Sequence, residues 1–475
     1  MKSASIRHNF IYKSIHNLSS YVIAFVTYPY VSRVLGVENI GAVGFVDNTV
    51  GFFLLFATMG VAILGTREVA AVRTDRERLS RAYSSILGMN IILTLVTLAA
   101  YIGAVLFIPH FSDNNAANRE LLWIGAAKIL ATAFIVEWFY TGLENFRYIT
   151  VRNIVIKLLY IAAIFIFVRQ SSDYITYFAL TVGVVVLNAL INSAYALSFA
   201  DIRLRELFST KYIKENITLG IYTIMTSMYL TFNVMYLGLV SSDQHVGVYT
   251  TAFKLYTIIL GLCSAFTGVM MPRMSALLAQ GQHEEFKRAI GRSFEIILRF
   301  IIPIAICSTI LAPHIIGVLS GAGYEGAVLP MRIIMPATLF VGIAQVLAIQ
   351  ILTPLRCDKV LLSASICGGT IALILNLLIV ARLESVGSAI VMLSSEGLVT
   401  TIYLVYTIRK RMVTIPFRGL ITSLATSIPP AAVSLCCLYF IANPFVSVAV
   451  AVTVGGLAWG ALNFRFLRQT LLSKR

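Results

Sequence analysis

Charge is scarce in this 475-residue sequence: Asp, Glu, Lys and Arg make up 12% of it, against 58% hydrophobic residues. With a mean hydropathy of +0.86, a chain this long could not hold its apolar surface in water, which excludes a soluble globular enzyme. Acid is scarcer than base, 21 Asp and Glu against 37 Lys and Arg. Long polar segments are missing as well. No connection is large enough for a soluble catalytic or nucleotide-binding domain, and no G-x-x-x-x-G-K-[ST] loop occurs, so ATP is not expected as the direct energy source. The six cysteines, Cys263, Cys307, Cys357, Cys367, Cys436 and Cys437, show no CxxC pair and no histidine at ligand spacing. They read as small core side chains, and neither a disulfide framework, a metal site nor any other cofactor is expected. The period-two alternation of barrel strands is absent, so an outer-membrane barrel is not expected.

What is present is a succession of apolar runs, each near the length that crosses a bilayer as a helix. Fourteen spans are expected, at about 10–32, 40–66, 82–107, 120–142, 153–168, 174–200, 216–240, 246–272, 291–312, 327–353, 360–380, 386–408, 416–441 and 444–464. The fold class is therefore an all-α polytopic membrane protein. Alternate ends of these spans differ sharply in basic charge: 29 Lys and Arg lie on one side, and only Arg33, Arg119, Arg169 and Arg382 on the other. By the positive-inside rule both termini are cytoplasmic. The excess of base orients the chain and meets anionic lipid, so nucleic acid is not an expected partner. The outward connections, such as "PHFSDNNAANRE" and "RQSSDY", are too short for the catalytic residues of a polymerase or ligase, and an enzyme is not expected. No cleavable signal peptide is evident.

An internal repeat is legible. "LGVENIGAVGF" leads into the second span and "VSSDQHVGVYT" into the eighth, and matching Gly41 to Gly247 carries Arg67 onto Arg273 at the same offset. Six spans precede about residue 208 and six more reach about 412, in the same orientation. This predicts an N-lobe at 1–207, a C-lobe at 208–412 and two additional helices with a tail at 413–475, the lobes facing a central cavity as in transporters.

Five strings also resemble a known family. "PYVSRVLGVENIGAVGF" (Pro29–Phe45) and "EWFYTGLENFRYITVRN" (Glu137–Asn153) resemble two motifs of the polysaccharide transporter family, which includes O-antigen flippases of the Wzx type. "SGAGYEGAVLPMRI" with "IQILTPLRCDK", and "MPRMSALLA", resemble its later helix ends. That family belongs to the multidrug/oligosaccharidyl-lipid/polysaccharide exporter superfamily. The resemblance implies two six-helix lobes, alternating access, and a bacterial inner-membrane flippase for oligosaccharides linked to undecaprenyl pyrophosphate. A polysaccharide polymerase and a chain-length regulator are candidate partners, and the energy would come from a proton or sodium gradient or from downstream consumption of the product, between which the sequence does not choose. Many family members have twelve spans; fourteen is closer to the lipid II flippases. The rival readings are a lipid II flippase and a multidrug-type small-molecule exporter.

Four basic residues fall inside spans: Lys128, Lys254, Arg299 and Arg332. The clearest intramembrane acids are Asp47, Glu137, Glu295 and Glu396. Each needs a partner or a hydrated cavity. The repeat maps Lys254 onto Asn48 and Phe253 onto Asp47, so Lys254, Asp47 and Asn48 are candidate cavity residues, with Lys128, Arg299 and Arg332 as further contacts for a pyrophosphate. The alternative for Lys254 is a structural ion pair, with Asp47 as one candidate partner. Glu295 and Arg299 are spaced i, i+4 and can neutralise one another. Glu396, with no local partner, is the first candidate for ion coupling, and Glu295 the second. Glu137 is expected to fix the adjoining loop. Trp138, Phe139 and Tyr140 read as an interfacial aromatic anchor. Pro29, Pro272, Pro303 and Pro336 remove backbone hydrogen bonds and can kink their helices, with none singled out as a hinge.

Overall fold

The computed structural model describes residues 6–108, 116–413, 417–466 and 468. Within these residues the chain is helical throughout, with no strand. In order the helices are α1 (Ile6–Thr58), α2 (Val61–Val72), α3 (Arg76–Phe107), α4 (Ala116–Thr132), α5 (Glu137–Gly142), α6 (Phe146–Phe167), α7 (Tyr174–Ala196), α8 (Ile213–Val240), α9 (Asp243–Ala279), α10 (His283–Ile310), α11 (Ala312–Leu319), α12 (Val328–Ile334), α13 (Ala337–Gln345), α14 (Asp358–Leu375), α15 (Ala381–Arg409), α16 (Phe417–Phe440) and α17 (Pro444–Leu462). Side-chain caps open several of them. Asp75 accepts from Glu77 and Arg78 N–H at the start of α3, and Asn443 does the same for Phe445 and Val446 at α17.

Ten helices among the described residues are long and apolar enough to cross a membrane, or eleven if one bent pair is taken as a single span. The count of fourteen is not reproduced as such, and part of the difference lies at breaks. Helix α1 runs on through a sharp turn at Gly36, whose φ of 78° favours a residue without a side chain. A 52-residue span at 358–409 contains a second break, at Glu384, with φ 49°. Conversely, three expected spans are interrupted internally: at Met59–Gly60 between α1 and α2, at residues 133–136 between α4 and α5, and between α12 and α13, which are bent by 41°. Pro336 sits at that bend, whereas Pro29, Pro272 and Pro303 lie inside continuous helices. The cysteines are all free, but only Cys263 and Cys437 are buried. Cys367 and Cys436 are exposed on apolar helices, so the expectation of core positions fails for those two.

The chain packs as two compact units, 1–247 and 248–475. In the first, α8 lies along α1, and α4, α6 and α3 also pack on α1. The first turns of α9 belong to this unit, and they cross α1 very closely. A Cβ built on Gly41 would fall 1.6 Å from the Asp243 carbonyl oxygen, and one on Gly247 would fall 2.1 Å from that of Val37. The two glycines that align in the repeat are thus both needed bare at one helix crossing, where Asn118 also donates to Asp243 at 3.0 Å. In the second unit α16 packs along α10 and against α17, while α17 also meets α11. His314 Nδ1 and Ser447 Oγ, 2.6 Å apart, and the Phe300–Trp459 ring pair at 4.9 Å fasten this C-terminal hairpin.

Candidate functional site

Asp47 lies eleven residues past the Gly36 break, about 16 Å along α1, well inside the apolar stretch Val26–Thr58 that is long enough to cross a membrane. There it meets Lys128 of α4, with Nζ 2.5 Å from Oδ1. The pair is asymmetric: the lysine side chain is 16% exposed and the carboxylate 41%. An ion pair with one half-open member in such a stretch belongs against water or a polar ligand, not hydrocarbon. Asn48, the next residue, turns its amide back to the Gly44 carbonyl at 2.8 Å. From Asn48 the same face of α1 continues through Phe52 and Phe56, whose rings meet at 5.5 Å. Phe52 also approaches Phe232 of α8, which stacks on Tyr236. A polar bond between Tyr160 and Thr181 joins α6 to α7 within the same unit.

In the second unit Lys254 is half-buried on α9. Two residues on, Tyr256 is buried, stacks on Phe253 at 5.1 Å and donates its hydroxyl to Glu396 Oε1 at 3.4 Å. Residues two apart on a helix leave it about 200° apart, so Lys254 and Tyr256 face opposite sides. Glu396 itself is 6% exposed on α15. Glu295 and Arg299 pair at 2.7 Å, as their spacing suggests. Arg299 is further held by Asn463 Oδ1 at 2.8 Å and lies 4.0 Å from the centre of the Phe466 ring. Its guanidinium is occupied in clipping α10 to the end of the C-terminal hairpin. Arg332 is exposed on α12. The structure therefore brings together Asp47 with Lys128, and Glu295 with Arg299. It gives Glu396 a tyrosine that the sequence did not reveal.

A third constellation was missed by sequence reasoning. Arg152 of α6 is only 6% exposed; it bonds Asn192 of α7 and Asn153 and reaches Glu137 Oε1 at 3.5 Å. Asn153 donates to the same carboxylate at 3.3 Å, and the Tyr148 hydroxyl donates to Asn192 Oδ1 at 3.1 Å. Glu137 does hold its adjoining segment, as expected. The aromatic anchor does not survive: Phe139 and Tyr140 are fully buried and Trp138 is 7% exposed. They fill the core under α2 and α3, with Phe139 against Tyr83 at 4.8 Å. An apolar triplet beside a helix break looks like a headgroup belt in sequence, but here it closes the space that the break at 133–136 opens.

A family model described as "Polysaccharide biosynthesis protein" matches residues 6–278, more than half of the chain. The chain belongs to that family. Two full-length relatives bear the name "Putative O-antigen transporter". The one from Escherichia coli (strain K12) is 24% identical over 421 residues, covering 85% of this chain and 96% of its own. The one from Shigella dysenteriae is 23% identical over 390 residues, covering 80% and 94%. Among solved structures, the fold is similar to a lipid II flippase MurJ in an inward closed conformation (TM-score 0.78, 14% identity, 96% of this chain and 99% of that one). It is also similar to an inward-facing multidrug resistance MATE transporter of the MOP superfamily (TM-score 0.62, 16% identity, 84% and 98%). A family member with this fold and these apolar helices is a multi-pass membrane protein. The quoted motifs at Pro29–Phe45 and Glu137–Asn153 lie inside the matched region, the strings at 320–333 and 349–359 lie beyond it, and Glu137–Asn153 contributes Arg152 to the network with Asn192.

Proposed function

We propose that the chain is a bacterial inner-membrane flippase, with both termini cytoplasmic, that carries an oligosaccharide linked to undecaprenyl pyrophosphate from the cytoplasmic to the periplasmic leaflet by alternating access. The names of the two relatives support the cargo class. The observation that carries the reading is the Lys128–Asp47 pair, half-open and borne on two helices apolar enough to cross a membrane. Carboxylate and ammonium there keep a polar path available, and the ammonium has capacity for three hydrogen bonds, so it can hold a phosphate oxygen while keeping Asp47. Lys254 supplies the second unit with a cation of the same kind. Glu396, buried and bonded by Tyr256, is the carboxylate proposed to exchange a coupling proton. Glu295 and Arg299 enter as the clip on the hairpin rather than as cargo or ion contacts. A polysaccharide polymerase and its chain-length regulator would receive the product.

Deleting the gene in its native host tests this. Surface polysaccharide should fall, and complete lipid-linked repeat units should accumulate on the cytoplasmic side. The similarity to a lipid II flippase over 96% of the chain favours one second reading; for that reading the accumulating species would be lipid II. Intact polymer with altered sensitivity to cationic drugs would overturn both in favour of an exporter.

A further inference from the structure

The segment between α7 and α8, residues 201–212, is not a slack linker. It is laid as a strap along one face of α3, where Ser80, Ser84 and Gly88 recur every fourth residue. Ser80 Oγ accepts from Asp201 N–H at 2.9 Å, and Ser84 Oγ accepts from Arg203 N–H at 2.8 Å. Ser85 donates to Glu206 at 3.2 Å. At Gly88 the fit is flush: a Cβ there would fall 1.9 Å from the Leu207 carbonyl oxygen. From Ser80 to Gly88 the strap advances about 12 Å along α3. That helix is long and apolar enough to cross a membrane from Arg76 to Phe107. The strap therefore starts near the end of α3 and descends to a depth where apolar helix surface begins.

What it exposes at that depth is unlike a water-facing turn. Leu204 is 75% and Phe208 78% exposed, with Ile202 at 45%. All three lie outside the helices that qualify as spans. Between them Arg203 and Arg205 are exposed, whereas Arg78 and Arg81 on the first turns of α3 are paired with Asp75 and Glu77. The two acids of the strap are already engaged, Asp201 by Arg76 at 3.2 Å and Glu206 by Ser85. The outer surface thus combines apolar side chains with cations and little uncommitted negative charge. Such a combination fits the boundary between acyl chains and anionic headgroups.

We propose that residues 201–212 form an interfacial foot, with Leu204 and Phe208 seated in the outer part of the acyl layer and Arg203 and Arg205 on lipid phosphates, on the side of the membrane that carries the basic excess. The partner is the lipid leaflet itself. The serine face of α3 holds the foot rigid, so lipid contact is transmitted to the first unit.

The test uses the full chain in lipid nanodiscs, with Leu204→Trp and Phe208→Trp made separately and read as the difference from protein carrying Trp123, Trp138 and Trp459. Lipids brominated near the headgroup end of the chain should quench the added emission at least twofold, and aqueous acrylamide should have little effect. Emission that acrylamide quenches and brominated lipid does not, at both positions, would overturn the proposal and turn the surface toward a soluble protein. The headgroup half is read separately. Adding phosphatidylglycerol to phosphatidylcholine nanodiscs should raise the melting temperature of the parent, and Arg203→Gln with Arg205→Gln should remove at least half of that rise. An unchanged rise would overturn the role of the two arginines.

Discussion

At the scale of single residues the buried charges divide by what removing each would leave behind. Asn192 is fully buried and takes its bonds from Arg152 and Tyr148. Arg152→Ala leaves Asn192 Oδ1 with the Tyr148 hydroxyl alone and removes the donor shared by Asn153 and Glu137, at about 1–3 kcal/mol for each buried group left unsatisfied. The expected result is a lower melting temperature in detergent and poor accumulation, whatever the cargo. Arg152→Lys should recover only part of the loss, because an ammonium cannot span Asn192, Asn153 and Glu137 as the planar fork does. Equal melting of all three proteins would contradict the network. Lys128 and Asp47 call for a different comparison. If the pair is only structural, Lys128→Ala with Asp47→Ala should transport better than either single change, since no lone charge remains. If Lys128 also holds phosphate, as proposed, the double variant should stay at or below the level of Lys128→Ala, roughly a tenth of the parent or less. Lys254→Ala should lose transport similarly while inserting normally, and Lys254→Arg should keep a part. Normal polysaccharide export by a well-expressed Lys254→Ala protein would remove Lys254 from the site.

At the scale of helices, legibility followed how local the cause was. The Glu295–Arg299 pair was readable because i, i+4 spacing alone brings the groups together. Lys128 and Asp47 are separated by 81 residues, and no periodicity encodes that approach. The same holds for Arg299 with Asn463, 164 residues away. Breaks at Met59–Gly60 and at 133–136 were invisible because the sequence remains apolar through them, and hydropathy reports composition, not continuity. The repeat was legible through two glycines, and the structure supplies their reason: each faces a carbonyl oxygen at the α1–α9 crossing. Gly41→Val should therefore force the helices apart, since its Cβ alone would overlap Asp243, whereas valine at Gly103, which has open space around it, should be nearly silent. The pair is compared by thermal unfolding in the same detergent. A Gly41→Val protein that melts with the parent would mean that the crossing can relax.

At the scale of the whole molecule, orientation rests on charge rather than on any contact. Side chains of either sign could satisfy the helix ends locally, yet 29 of the Lys and Arg fall on one side of the expected spans and four on the other. Insertion responds to basic residues close to span ends, so so large an imbalance should fix the topology. It predicts that a fluorescent protein fused after the last residue matures in the cytoplasm, and that alkaline phosphatase fused after Arg475 stays inactive. Phosphatase fused after Gln170, in the turn between α6 and α7, should be active in the periplasm. The connection into α3, with Arg73 before the helix and Arg76 and Arg78 in its first turn, should behave like the C-terminus. Removing Arg73, Arg76, Arg78 and Arg81 together tests whether the signal is local or distributed. With 25 basic residues left on that side, the downstream fusions should keep their pattern, and only the spans next to the change should show mixed orientation. Inversion of the whole series by those four substitutions would mean that orientation is set early and locally in the chain, and the summed charge would no longer account for it.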